Sequence, residues 1–322
     1  MDSILVDFPI LSVVLGVRDE DVFCDCQNRY KVFELKVRGS KKVRTIEAPC
    51  PHLKRVQRAL LDRILGHIEV HEAAMAFSRG KSITMNARRH HGARYLFTTD
   101  IQSFFPSITA AHVKIMLEKR FCHLSIKAID EIISMTTRNS RLPQGAPTSP
   151  IIANLVMYDF DERCRWFSDK LGAVYTRYAD DISISANDAD ILRHFESVVC
   201  EGLRTLGMDM HAKKTRHYGP DQRKMVTGLD IGGERIRPPR TFRKKATALV
   251  RMTMKYPDKM QRHRARICGH LAFWYDVDPV DPDLAKLLKA MDLQNWARRC
   301  ALVPKYDERS RSMYDLDDDI PF

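Results

Sequence analysis

The run from Val174 to Ser185 sets two adjacent carboxylates, Asp180 and Asp181, between two stretches that belong in a β-sheet. Val174, Tyr175, Thr176 and Tyr178 favour strand, and Ile182 and Ile184 alternate with Ser183 and Ser185 at the period of a half-buried one. The spacing predicts a hairpin with the acid pair at its tip. Asp also serves turns through its own backbone hydrogen bonds, and for an Asp pair taken alone that is the ordinary role. An apolar hairpin packs in a sheet, however, where neighbouring carboxylates repel unless they face water or hold a cation. The rest of the chain decides between the two readings.

A third acid has the same character. Residues 95–100 read as a buried strand that ends on Asp100, and a carboxylate at the mouth of an apolar strand is costly without a partner. Asp100 is therefore a candidate third ligand of one metal site. Phe104 and Phe105 follow, and rings in such a place are usually core. Phe105, five residues beyond the acid, is also placed to wall a nucleotide sugar.

Residues 108–137 read as helix and lead into the turn Leu142 to Pro150. There Gly145 allows close backbone approach, Ser149 reads as a helix N-cap and Pro150 as the first helical residue of a segment running through Val156. Gln144 has no such structural duty and is a candidate contact for a base pair or sugar.

Charge narrows the partner. The 322 residues carry a formal net charge of +12 although the last residues, from Asp315, are acidic. From Arg235 to Arg266 there are twelve Lys or Arg and one acid, in basic amphipathic helices with Phe242, Ala246, Leu249 and Val250 on the apolar side. Such helices suit nucleic acid, acidic membranes or acidic proteins. The metal-site candidate upstream favours nucleic acid. A hairpin over residues 30–47 has a tip dense in Lys and Arg, either solvated or a flap that reaches a triphosphate. The loop from Ala76 to Gly92 gathers Arg79, Lys81, Arg88 and Arg89 around glycines, a pattern compatible with a nucleic-acid backbone.

Eight cysteines are scattered without metal-module spacing and read as reduced thiols of a cytosolic protein. The start carries no basic apolar leader and no run is long enough to span a membrane, so a cytoplasmic protein with no membrane partner is expected.

An Asp at a strand end, a Gln-Gly-Ala-Pro-x-Ser-Pro turn at 144–150, and Tyr178-Ala179-Asp180-Asp181 on a hairpin, in that order, resemble the motifs of reverse transcriptases. Asn86-Ala87-Arg88-Arg89-His90, Val226-Thr227-Gly228 and the Arg177 before the acid hairpin narrow the resemblance to bacterial retron reverse transcriptases. It covers the chain from about Tyr30 to Trp296.

The resemblance implies an α+β right-hand polymerase: an N-terminal helical segment at 1–29, fingers at 30–95 and 108–150, palm at 96–107 and 151–232, a basic helical thumb at 233–314 and an acidic tail at 315–322. It implies two Mg²⁺ ions, with Mn²⁺ as a substitute, held by Asp100, Asp180 and Asp181 for in-line phosphoryl transfer. Arg44 and Arg38 would clamp the triphosphate, Phe105 would exclude the ribose 2′-hydroxyl, and Gln144 and Gly145 would contact template and nucleotide. Lys214 would protonate pyrophosphate, with Lys213 its competitor.

Nucleic-acid contacts are expected from Arg79, Lys81, Asn86, His90, Arg235, Arg240, Arg243, Lys244 and Arg251. The implied partners are deoxynucleoside triphosphates, a structured noncoding RNA that is both template and primer, and the branched RNA-linked single-stranded DNA (msDNA) begun from a guanosine 2′-hydroxyl. A host ribonuclease H and a retron effector in antiphage defence complete the set, since no ribonuclease H domain is expected in the chain. Alternatives are a group II intron-like or abortive-infection reverse transcriptase and, in another class, a non-catalytic RNA-binding scaffold.

Overall fold

The computed structural model describes residues 8–17, 29–36 and 43–291. Arg38, the acidic tail and the end of the resemblance near Trp296 lie outside the described residues. By its contacts the chain divides into two units. The first comprises Met1–Lys81, Phe97–Ile184 and Ala189–Arg216; the second comprises Ser82–Leu96, Ser185–Asp188 and His217–Phe322.

In the first unit, α1 (Phe8–Leu15) precedes an antiparallel hairpin of β1 (Tyr30–Lys36) and β2 (Val43–Pro49), with Leu35 opposite Arg44. Helix α2 (Pro51–Arg63) opens on a proline whose missing N–H costs nothing at that position, and it buries Leu53, Val56 and Leu60 on one face. In the second unit α3 (Ile83–Arg89) is capped by Ser82, whose side chain accepts from Met85 N.

Strand β3 (Tyr95–Asp100) follows, then a helical turn at Phe104–Ser107. The helix expected over 108–137 is two, α4 (Ala110–Arg120) and α5 (Ile126–Thr136). Phe121 and Leu124 turn inward between them, and Ser125 offers the backbone a cap by accepting from Ala128 N.

Helix α6 (Ser149–Val156) is also corrected in detail. Ser149 is its first residue rather than its cap, and its hydroxyl donates back to Pro143 O at 2.8 Å, closing the preceding turn. Helix α7 (Tyr158–Leu171) leads to β4 (Val174–Tyr178), a two-residue turn and β5 (Asp181–Ala186), the hairpin that the residue pattern predicts. After α8 (Ala189–Thr205), Met210 makes one bridge to Ile101 and the chain turns; the next strand is β6 (Arg216–Tyr218). The sheet order is β4-β5-β3-β6.

In the second unit, β7 (Met225–Val226) and β8 (Leu229–Asp230) form a tight hairpin in which Thr227 and Gly228 both have positive φ, 45° and 77°. Thr227 Oγ1 donates to Ile83 O at 3.0 Å, and Ala87 packs with Val226 and Leu229. Two short motifs, weak apart, thus dock on one another. The basic segment folds as expected into α9 (Arg240–Lys255), α10 (Arg264–Val277) and α11 (Pro282–Ala290). Phe242, Ala246 and Val250, one helical turn apart, meet Ile267, Leu271, Trp274 and Leu284 in its core. Among the described residues no helix is long and apolar enough to cross a membrane.

Candidate active site

The hairpin tip is tight. Ala179 has φ +56°, a region that costs any residue with a Cβ, and Asp180 completes the turn. What holds it there is underneath. Arg177 is fully buried and donates from Nη1 to Ala179 O at 3.0 Å and to Asn154 Oδ1 at 3.1 Å. Its Nε and Nη2 grip Asp161 of α7 at 2.8 and 2.5 Å, and Tyr175 donates its hydroxyl to the same carboxylate at 2.6 Å. A buried guanidinium is tolerable only when paired and hydrogen-bonded, and here each of its three nitrogens has a partner. The same guanidinium lies 5.9 Å from the Phe104 ring, which is core.

Asp161 and Asn154 carry no motif. The signal available was Arg177 itself, which shares the buried strand face with Tyr175 and so demands an acid from another element.

The three predicted acids meet. Asp100, Asp180 and Asp181 each offer an oxygen within 4.8 Å of the others. Ile101 N donates to Asp180 O at 2.9 Å, tying the tip to the end of β3. His211 N donates to Asp100 O at 2.7 Å and Lys214 N to His211 O at 2.8 Å, a turn that sets the Lys214 ammonium on the Asp100 carboxylate. Lys213 is exposed and meets no acid among the described residues.

Lost hydration, a hydrogen bond with Asp100 and repulsion from Asp180 and Asp100 push the Asp181 carboxyl up to about 9. Asp180 is raised as well, first by lost hydration and then by Asp100, while Lys214 and Arg44 pull it back. Three oxygen donors this close, one of them leaning on a lysine, fit a hard divalent cation better than they fit each other.

This sets the pH dependence. Between its ordinary 3.8 and about 9, Asp181 is protonated in the fold and ionised in the unfolded chain. The native state then binds the extra proton, so this group's contribution makes stability fall as pH rises through that window. Thermal melts in a chelator are expected to drop with pH, and Mg²⁺ to flatten the profile by taking the proton's place. A chelated profile without the fall would contradict the arrangement.

The other predicted residues divide. Arg44 stands exposed on β2, close enough for its charge to lower the Asp180 carboxyl. Gln144 is half-buried, its O accepting from Glu47 N at 2.8 Å, and Gly145 has φ +133°, open to glycine alone. Phe105 is half-buried beside Phe104. Arg79 is exposed.

Lys81 is largely committed to structure, its Nζ donating to Glu72 O and Ala74 O at 2.6 and 3.1 Å. Asn86 and His90 are corrected: at 1% and 0% exposure neither presents its side chain to a polyanion. His90 bonds Ser185 Oγ at 2.8 Å, and burial, helped by Arg89, lowers it to about 3, so it stays neutral.

In the second unit, Arg240, Lys244 and Arg251 are exposed on one face of α9 and line an open cleft of about 550 Å³ with Arg243 and Trp274. Arg243 is 4.0 Å from Asp281. Arg235 is partly spent on Asp278 and Val280 O, at 3.2 and 3.0 Å.

The family described as reverse transcriptase (RNA-dependent DNA polymerase) matches residues 35–231, more than half of the chain. The chain belongs to the reverse transcriptase family. Within it, this reverse transcriptase resembles those of bacterial retrons. It is 32% identical over 209 residues to the retron Ec86 reverse transcriptase of Escherichia coli, covering 65% of each chain. It is 32% identical over 292 residues to the retron Mx162 reverse transcriptase of Myxococcus xanthus, covering 79% of this chain and 59% of that one.

The matches thus span 65% and 59% of these relatives' own length, less than two thirds in each case. A telomerase of Candida albicans, solved with a fragment of telomeric RNA, aligns over 91% of this chain and 66% of its own with a TM-score of 0.52 at 11% identity. That likeness is one of fold, and it bears out the α+β polymerase architecture expected of the reverse transcriptase.

Proposed function

We propose that the chain is the RNA-directed DNA polymerase of a retron. The observation that carries the reading is the convergence of Asp100, Asp180 and Asp181 at the tip of a braced hairpin. A non-catalytic scaffold has no use for three acids that strain against one another.

Asp100, Asp180 and Asp181 would hold Mg²⁺, with Mn²⁺ as a substitute; two such ions, when bound, supply electrostatic stabilisation of the attacking and leaving oxygens. The remaining work falls to side chains. Arg44, joined by Arg38, clamps the triphosphate, a task that suits the planar donors of guanidinium. Gln144 and Gly145 meet the template and nucleotide, and Phe105 closes the space a ribose 2′-hydroxyl would need. Lys214, already beside the carboxylates, protonates the departing pyrophosphate. Arg79, Arg240, Arg243, Lys244 and Arg251 bind RNA through phosphates and shape rather than base edges.

In this reading 30–95 and 108–150 act as fingers, 96–107 and 151–232 as palm and 233–314 as thumb. The template and primer are one structured noncoding RNA, extended from a guanosine 2′-hydroxyl into branched msDNA in the cytoplasm. A host ribonuclease H trims the template, and an effector protein couples the product to antiphage defence.

The test is direct. Purified protein with a structured RNA, Mg²⁺ and deoxynucleoside triphosphates is expected to yield DNA covalently joined to RNA through a 2′ linkage that resists base and yields to debranching enzyme. DNA extended solely from added 3′-ended primers would favour the intron-like alternative, and no DNA at all would overturn the polymerase reading.

A further inference from the structure

We propose that Phe77 is a positioning residue for sugar selection, the outer member of a row of three rings that holds Phe105 in place. The inference rests on the polymerase reading above and deepens it at one position.

Phe77 has φ +56°, a genuine outlier for a bulky side chain, and the residue is 41% exposed. A loop that needed only the backbone shape would take Gly or Asn there. Strain of this kind persists where the surroundings enforce it, and they do. Asn154 Nδ2 donates to Ala76 O at 2.9 Å, Ser78 Oγ to Ala74 O at 2.8 Å and Met75 N to Arg177 O at 2.7 Å. Residues on both sides are buried and clamped, while the Phe77 ring projects.

Its neighbour is Phe105, with ring centroids 6.3 Å apart and planes tilted by 48°. Phe105 also meets the buried Phe104, 5.4 Å away and tilted by 51°. Phe105 therefore touches one buried ring and one exposed ring, and in this proposal the exposed ring limits its swing. The clamp on Ala76 shares Asn154 with the Arg177 network, so the ring row and the acid hairpin are fixed by one set of bonds.

The measurement is single-nucleotide insertion on an RNA template with a deoxynucleotide and the matching ribonucleotide, in the unaltered protein and in Phe77→Ala, Phe77→Gly, Phe77→Tyr and Phe105→Ala. Phe77→Ala is expected to lower deoxy-over-ribo selectivity about tenfold, mainly through the KM values, with kcat for the deoxynucleotide within about threefold. Phe77→Gly, which removes the ring and the backbone strain together, should lose the same selectivity without lowering the melting temperature, and Phe77→Tyr should retain it. Unchanged selectivity in the Ala and Gly variants, with Phe105→Ala relaxed, overturns the role of Phe77 and leaves the polymerase reading standing. Absence of RNA-templated synthesis by the unaltered protein overturns both.

Discussion

Asp180→Asn will cut RNA-templated DNA synthesis by at least about a thousandfold, because a lost ligand at this site forfeits several kcal/mol of transition-state stabilisation. The same substitution will raise the melting temperature of the metal-free protein. Asp180 is a half-buried carboxylate near Asp100, and its raised pKa says that the fold resists its charge; the amide removes that resistance. It will also shrink the melting shift produced by Mg²⁺, since less binding means less stabilisation. Rate, metal-free stability and metal response therefore move in three defined directions. Retained synthesis would sink the assignment of the acids.

Breaking the brace under the hairpin will have the second largest effect. Arg177→Met leaves the Asp161 carboxylate buried without its cation, with the Tyr175 hydroxyl still donating to it, and losing one partner of a buried ion pair costs roughly 3–5 kcal/mol. The midpoint of urea unfolding should fall accordingly. Arg177→Lys will recover only part of this, since an ammonium cannot reproduce the two-pronged contact with Asp161. The double variant Arg177→Met with Asp161→Leu separates stability from function. Removing both charges should restore most of the stability, yet activity should stay low, because Ala179 O has lost the donor that steadies its left-handed turn. Activity restored along with stability would show that the brace only holds up the fold.

Much of the site was legible in residue order because the chemistry constrains types at fixed spacings. Two acids in an apolar hairpin, and a third at a strand end, are expensive anywhere except around a cation, so their cost was the signal. The basic stripe of α9 was equally open to reading, its charges and apolar residues alternating at the helical period. What stayed hidden depends on contacts between distant elements. Asp161 lies on a polar helix with other acids and looks like any of them until Arg177 is folded against it. Asn86 and His90 are polar residues beside two arginines and read as a surface loop. The docking of Val226 and Leu229 on Ala87, which nothing local announces, belongs to the core that encloses that helix. Ser149 failed for a smaller reason: a serine next to a helix start can cap forward or close the turn behind it, and the pull of Pro143 O decided.

The order in which the chain leaves the ribosome gives the Asp100 to Lys214 contact another meaning. Asp100 emerges long before the hairpin acids, and the segment that zips onto it through His211 comes later still. A nascent chain stopped short of that segment would expose every acid of the centre without the peptide that aligns them. Because the first unit is assembled from three separated stretches, its closure depends on long loops coming together, the kind of contact that slows folding. Synthesis must thus pass Lys214 before the centre can be completed.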